Sequence, residues 1–308
     1  MANISVIIPV FGCRACLTEL HRRLTLVLSA ISGGYEIIFV DDGSEDNAWE
    51  MIERLGKKDK SIKGIKLSRN FGQHQAISAG VDRAGGKWIV VMDCDLQDRP
   101  EEIKNLYNKA VREKVDIVFA RRAVRHDSTG RMFGSWLYHT LFTALSGIKS
   151  DPAVGNFSIV SSRAIDAFRK FPERHRSYLQ IVRQLGYPQT TINVIHDARP
   201  VGPSSYTFGK LMTHAVDVAT GFSTRMLTLW MFSGFAIAGI SGIIAVVILA
   251  GHFMNRFTVA GWVSVMVLTS FLSGMILSGL GVIALYLGKI FEEVKRRPLY
   301  VIERKMNL

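Results

Sequence analysis

Two long uncharged stretches constrain this chain more than any other feature. No Asp, Glu, Lys or Arg falls between Arg225 and His252, and none between Arg256 and Lys289. Each stretch exceeds the roughly 20 apolar residues that cross a bilayer. The expected organisation is a soluble front end followed by two membrane-spanning helices within residues 227–288, joined by a short turn carrying Arg256. Neither span holds a charged residue near its middle, which argues against an ion or proton pathway and for an anchor. Gly234, Gly239, Gly242, Gly274 and Gly279 would let helices approach closely within or between such hairpins, so a homo-oligomer through the hairpin is an open expectation.

The formal net charge is +12. A basic surface suits nucleic acid, anionic headgroups or phosphorylated substrates, and attached spans favour lipid and phosphate. No nucleic-acid reading module is recognisable, so nucleic acid is not an expected partner and membrane lipids are. Residues 289–308 form a tail with six basic residues. The positive-inside rule then places both termini and the front end in the cytoplasm, as expected of a multi-pass protein of the inner (cytoplasmic) membrane. The first apolar run, Ile4–Val10, is short, is interrupted by Pro9 and lacks a basic leader, so it does not read as a signal peptide.

Within residues 1–120, β-branched runs alternate with helical periodicity. Ile4–Ile8, Tyr35–Val40, Gly64–Leu67, Trp88–Met92 and Val115–Ala120 read as strands. Leu17, Leu20, Leu24, Leu28 and Ile31 recur at helical spacing, and further helices are expected over about 46–55, over 73–84 and from Pro100. Continuous apolar strands separated by helices imply an α/β fold, a mostly parallel sheet with helices on both faces. Before the first span, Phe208, Leu211, Met212, Ala215, Val218, Ala219 and Phe222 share one face of an amphipathic segment, residues 206–226. It would lie in the membrane interface or pack on the soluble core.

Cys13, Cys16 and Cys94 are an odd set without a disulfide framework. Cys13-x-x-Cys16 is half of a zinc site with no second Cys/His pair at suitable spacing, so these read as small apolar residues opening a helix.

The acidic motifs fall at the carboxyl ends of expected strands, where open α/β sheets bind ligands. Asp93-Cys-Asp95-Leu-Gln97 offers two carboxylates and an amide oxygen at alternating positions. That set suits Mg²⁺ or Mn²⁺ shared with a nucleotide diphosphate. Asp41-Asp42-Gly43-Ser44 presents carboxylates that accept from a base N–H or ribose hydroxyls, or alternatively a turn with Ser44 or Asp46 as helix cap. Neither a G-x-G-x-x-G after the first strand nor a Walker A sequence occurs, which weighs against dinucleotide and P-loop binding.

Val6-Ile-Ile-Pro-Val10, Val40-Asp-Asp-Gly-Ser44, Leu67-Ser-Arg-Asn-Phe-Gly72 and Asp93-Cys-Asp-Leu-Gln-Asp98 together resemble the family 2 glycosyltransferases of GT-A fold. More narrowly, the chain resembles the polyprenyl-phosphate glycosyltransferases, the branch containing dolichyl-phosphate mannose synthase and bactoprenol glucosyltransferases. Arg199-Pro-Val-Gly202-Pro-Ser204-Ser-Tyr206, Phe222-Ser-Thr-Arg225 and Tyr286-Leu-Gly…Arg297-Pro-Leu-Tyr300 extend the match through the hairpin. The resemblance implies a GT-A nucleotide-sugar-binding domain over 1–205. It implies that Asp93, Asp95 and Gln97 hold the metal and donor diphosphate, while Asp41 and Asp42 face the nucleoside with Pro9 and Phe11. It further implies that Arg122, Arg131 and Ser135 grip the acceptor phosphate and that Arg199 lies near the donor pyrophosphate; Arg121 and Arg125 read as solvated charges. Where the family shows Asn-Glu after the Pro-x-aromatic of the first strand, this chain has Gly12-Cys13, which weakens any choice of base.

The implied reaction is inverting transfer of a sugar from a nucleotide-sugar donor, UDP-linked in preference to GDP-mannose. The acceptor is the phosphate of a polyprenyl phosphate such as undecaprenyl phosphate, and the product serves cell-envelope glycans. Asp95, Asp93, Arg122 and Arg131 are its expected catalytic residues. The chemistry is self-consistent: a phosphate monoester has a second pKa near ~6, so its oxygen is already a nucleophile and the protein needs chiefly to position two polyanions. A processive polysaccharide synthase would show Q-x-x-R-W and more spans, whereas Gln180-Ile-Val-Arg183 is followed by Gln184. The alternative from another class, a non-catalytic membrane adaptor or flippase component binding lipid phosphate, has no need of Asp93, Asp95 and Gln97 together.

Overall fold

The computed structural model describes residues 2–31, 33–122, 151, 153–171, 173, 176–195, 197, 225–253 and 261–308. The chain divides into two compact units, one of residues 1–127, 151–204 and 296–308, the other of 128–150 and 205–295.

The first unit is built on β1 (Ile4–Val10), β2 (Tyr35–Asp41), β3 (Ile62–Leu67) and β4 (Trp88–Val91). Helices α1 (Arg14–Ser29), α2 (Ala48–Lys58) and α3 (Gln73–Val81) connect them, and α4 (Glu102–Glu113) leads to β5 (Ile117–Arg122). Beyond lie β6 (Val154–Ser161), α5 (Ser162–Arg169), α6 (Tyr178–Gln184), β7 (Gln189–Val194) and, from the tail, β8 (Ile302–Met306). The eight strands form one sheet in the order β7-β5-β6-β4-β1-β2-β3-β8.

The expected parallel block is present: β1 pairs with β2 and β4, β2 with β3, and β5 with β7, all parallel. The sheet is mixed, yet six of its eight strands run in one direction, in keeping with the mostly parallel reading. β6 runs antiparallel between β4 and β5, and β8 antiparallel along β3.

Leu17, Leu20, Leu24 and Leu28 of α1, spaced as read from the sequence, are fully buried against Val6, Ile8, Ile37 and Phe39 on one face. With α2 and α4 they form the larger core. On the other face lie α3, α5 and α6, with Ile7, Ile77, Phe168 and Tyr178 buried. Burial of a Leu or Phe stabilises by about 1.5–3 kcal/mol, and both faces are covered, so the sheet is the rigid frame for the loops at its edges.

The second unit contains α7 (Arg225–Phe253) and α8 (Trp262–Val294). Trp230 packs on Gly279, where any β-carbon would collide with its indole. Within α8, Phe271–Val294 is long and apolar enough to cross a membrane, with a mean hydropathy of 1.9. Phe271, Ile276, Leu277, Leu280 and Ile283 are exposed. The amphipathic stretch 206–224 and the Arg256 turn lie outside the described residues.

Candidate active site

The carboxyl ends of β1, β2 and β4 converge on one rim, and the loops leaving them hold each other in place. Asp41 ends β2 and is completely buried. Its Oδ1 accepts from the Ser44 amide at 2.9 Å, while Oδ2 has no hydrogen-bond partner. Burial pushes its carboxyl above the ordinary range. An orphaned buried carboxylate oxygen is costly and suits an incoming N–H or hydroxyl.

Asp42 is spent differently. Its two oxygens accept from the backbone amides of Phe71 and Gly72 at 2.7 and 2.8 Å. Burial still holds its carboxyl above the usual range, against the pull of those amides. The nucleoside-facing reading of Asp42 therefore gives way to a loop-holding one: it locks segment 68–72 to the end of β2. Gly43 makes that docking feasible. Its φ is +68°, and a β-carbon there would lie 2.6 Å from the Arg69 carbonyl carbon. A side chain would therefore be strained and would also collide with backbone.

Asp93 and Asp95 follow β4 directly. Gln73, the first residue of α3, donates from Nε2 to Asp93 Oδ1 at 2.7 Å. Leu96 adopts φ +62°, a left-handed conformation uncommon outside glycine, and it turns the chain so that the Gln97 amide donates to Asp95 Oδ1 at 3.2 Å. Among the described residues no three His, Cys, Asp or Glu side chains form a metal-binding group. Two carboxylates and an amide are short of a closed cage, which is the donor set Mg²⁺ or Mn²⁺ accepts when diphosphate and water complete its shell. The residues present fit such an ion.

Of the first-strand residues, Phe11 stands 55% exposed at the rim, but Pro9 is buried inside β1 opposite Val40. Pro9 belongs to the sheet and not to the ligand-facing surface. The cysteine reading is also corrected. Cys13, in the loop after β1, is joined in a disulfide to Cys94, the residue between Asp93 and Asp95, with a Cα–Cα distance of 6.3 Å; Cys16 is the free thiol. β1 and β4 are neighbours in the sheet, so their carboxyl-end loops meet although 81 residues separate the two cysteines.

Arg121 and Arg122 end β5 on the same rim. Arg121 Nε donates to Asp151 at 2.9 Å, so it is paired and not merely solvated. Arg122 lies over Gly155, where a β-carbon would come within 3.3 Å of Nη2, and glycine leaves the guanidinium room. Arg131, Ser135 and Arg199 lie outside the described residues. Two residues before Arg199, Asp197 takes both Nε and Nη2 of Arg99, at 2.7 and 2.6 Å, and its amide donates to the Gln97 carbonyl at 3.0 Å. Sequence reasoning missed Asp197 and Arg99, a clamp across 98 positions that no local pattern announces. The structure thus gathers Phe11, Asp41, Asp93, Asp95, Gln97 and Arg122 along one rim and assigns Asp42 to its scaffold.

The glycosyl transferase family 2 model matches residues 5–170. An uncharacterized glycosyltransferase of Synechocystis, sll0501, is 35% identical over 301 residues, covering 97% of this chain and 94% of that protein. The SfII prophage-derived bactoprenol glucosyl transferase of Shigella flexneri is 30% identical over 305 residues, with 98% of each covered. Among solved structures, glucosyl-3-phosphoglycerate synthase of Mycobacterium tuberculosis, in complex with Mn²⁺, UDP and glucosyl-3-phosphoglycerate, aligns with a TM-score of 0.50. At 15% identity over 71% of this chain and 78% of that one, the likeness is one of fold.

Proposed function

The chain belongs to glycosyl transferase family 2, and from that premise we propose that it transfers a sugar from a nucleotide-sugar donor to the phosphate of a membrane polyprenyl phosphate. The observation that carries this reading is the rim itself: an orphaned buried acid, Asp41, lies two strands from the aspartate pair, with β5 arginines beyond. The names of relatives that match along nearly the whole chain, bactoprenol glucosyl transferases among them, supply the acceptor class.

In this reading the nucleoside enters against Asp41 and Phe11, with Asp41 Oδ2 accepting a base N–H or a ribose hydroxyl. A UDP-linked donor is preferred. Asp93, Asp95 and Gln97 would hold the divalent ion, which when bound neutralises charge on the departing diphosphate. Arg122, with Arg131 and Ser135, orients the acceptor phosphate, and Arg199 attends the pyrophosphate. The acceptor oxygen attacks the anomeric carbon from the face opposite the diphosphate. The new C–O bond forms as the bond to the diphosphate oxygen breaks, the electron pair leaves with the nucleoside diphosphate, and the configuration inverts. No side chain need take a proton, because the phosphate nucleophile is already ionised. The charge placed on the attacking group falls to arginine forks.

α7 and α8 serve here as a hairpin anchor, with the catalytic unit and both termini in the cytoplasm, close to a lipid acceptor whose phosphate sits at the membrane surface.

The test is transfer of radiolabelled sugar by detergent-purified protein supplied with undecaprenyl phosphate, Mn²⁺ or Mg²⁺ and a panel of UDP- and GDP-sugars. Label entering the organic phase with one donor is the expected result and names the sugar. Failure with every donor, together with no metal-dependent UDP or GDP binding, would overturn the enzymatic reading in favour of the adaptor.

A further inference from the structure

Lys66 of β3 stands between two acids. Its register partner on β2 is Asp41, and its register partner on β8 is Arg304, next to Glu303. Register partners on adjacent strands project to the same face with side chains about 5 Å apart, which puts Asp41 within reach of the Lys66 ammonium. The ammonium turns the other way. Its Nζ lies 3.0 and 3.2 Å from the two carboxylate oxygens of Glu303, 237 positions along the chain. Among the described residues Asp41 Oδ2 has no hydrogen-bond partner. All of these residues belong to the first unit.

An unpaired carboxylate oxygen and an ammonium on neighbouring strands attract each other, and the more strongly where water is scarce. Glu303 keeps them apart by drawing the cation to the outer side of β3. Its Oε1 also lies 3.5 Å from Arg304 Nε, so one carboxylate serves two cations that face each other in the register. Without that negative charge Lys66 and Arg304 would repel, and Lys66 would turn toward β2. The other acids on that side are engaged. Asp42 accepts from the amides of Phe71 and Gly72, and Asp46 from those of Arg14 and Ala48. Asp41 Oδ2 is the oxygen left to meet the ammonium. The Lys66 charge already pulls the Asp41 carboxyl down, although burial outweighs it.

We propose that Glu303 is a positioning residue of the donor site: by holding the Lys66 ammonium on the β8 side of β3, it keeps Asp41 Oδ2 open to the nucleoside. The tail strand is then part of the donor site's architecture although it touches no donor itself. The nucleoside as the group that meets Asp41 rests on the transfer reaction proposed above. The diversion of Lys66 rests on the register and the distances alone.

The experiment compares full-length wild type in detergent with Glu303→Gln, Lys66→Met and the double variant. Calorimetric titration with UDP and Mn²⁺ reads the donor site, and ¹³C NMR of labelled aspartate, with Asp41→Asn for assignment, reads the Asp41 carboxyl without any ligand. In Glu303→Gln, UDP affinity should fall about tenfold, as expected for loss of one acceptor to a competing cation. Asp41 should titrate about one pH unit lower or more, because an ammonium has joined it. Lys66→Met and the double variant should bind UDP within about twofold of wild type, since neither has a cation to deliver. Melting temperatures should hardly move, because a partly exposed ion pair contributes little to stability. A loss in Glu303→Gln that the double variant fails to restore would make Glu303 a structural residue and overturn the proposal. Unchanged UDP affinity in Glu303→Gln would overturn it too, whatever Asp41 does. Should Glu303→Gln not fold, Glu303→Ser, which also removes the carboxylate from an edge strand, decides in its place. If wild type binds neither UDP nor GDP, the donor reading falls, and the Asp41 titration alone decides whether Glu303 holds Lys66 away.

Discussion

The two rims of the sheet differ in how they hold the acids of β2 and β5, although the carboxyl rim also has paired acids in Asp197, held by Arg99, and Asp151, held by Arg121. At the amino end, Glu36 is surrounded by Lys63, Ser5 and the Gly85 amide. Asp116, just before β5, is gripped by Arg163 and Ser161. Burial tends to raise the Glu36 carboxyl, but its lysine and its other donors prevail and hold it low; the Arg163 guanidinium holds Asp116 below the usual range. At the carboxyl end, burial raises Asp41 and Asp42, and one Asp41 oxygen has no partner. The amino rim is a set of closed contacts that stabilise. The carboxyl rim keeps charge in an unfavourable setting, which is where acids that wait for a ligand are expected.

The comparison is tested most severely by Asp95→Ala. Loss of a carboxylate from the carboxyl rim should lower sugar transfer by about a thousandfold or more, because in the proposed reaction Asp95 would hold the ion that the diphosphate shares. The melting temperature should hardly move. Near-normal turnover would remove Asp95 from the reaction, and a large fall in melting temperature would make this rim as structural as the other. Next in size is the bond between Cys13 and Cys94, the covalent tie on the carboxyl rim. Closing a loop across 81 residues, it should contribute about 2–4 kcal/mol. Calorimetry with and without a reductant measures this, and an unchanged transition would mean that hydrogen bonds alone order the rim.

Comparable in size is Glu36→Ala on the amino rim. It strips Lys63, Ser5 and Gly85 of their acceptor and should cost about 2–3 kcal/mol, since hydrogen bonds to a charged group contribute ~1.5–3 kcal/mol. UDP affinity of the folded fraction should be unaltered. The pH dependence carries the same sign. A carboxyl held low in the fold stabilises fully above its unfolded pKa of about 4 and loses that contribution as pH falls through the folded value. Urea titrations between pH 7 and 3 should therefore show wild type and Glu36→Ala converging on acidification. Parallel curves would deny Glu36 its charged role.

What the sequence made legible follows the same division. The position of Asp93, Asp95 and Gln97 on the carboxyl rim could be read because they succeed a buried apolar strand. Asp41 and Asp42 could not be told apart from their order. What separates them is the approach of residues 68–72, whose amides consume Asp42 and leave Asp41 open. The cysteine spacing drew attention to Cys13 and Cys16, whereas strand adjacency joins Cys13 to Cys94. Ile302–Met306, with three charges in five residues, reads as tail. It is a strand because the β3 edge offers backbone partners and an edge tolerates charge, with Lys66 paired to Glu303.

The smallest effect is the most telling. If the carboxyl rim holds Asp41 against its solvation preference, Asp41→Asn should stabilise the unit at pH 7, by about 1 kcal/mol, the usual scale for relief of a functional strain. Asn keeps Oδ1 for the Ser44 amide and carries no charge to bury. An acid whose folded pKa is raised destabilises the fold above its unfolded pKa and has no such effect once both states are protonated. The gain should accordingly be present at pH 7 and vanish below about pH 4, the reverse of the trend at Glu36. UDP affinity should fall in the same variant, because an amide N–H replaces the oxygen that would accept from the nucleoside. Chemical denaturation at pH 7 and pH 3.5, paired with calorimetric UDP titration, reads both quantities. A variant that is destabilised at pH 7 would show that the Asp41 carboxylate is satisfied as it stands, and the contrast between the rims would then rest on Asp93 and Asp95 alone.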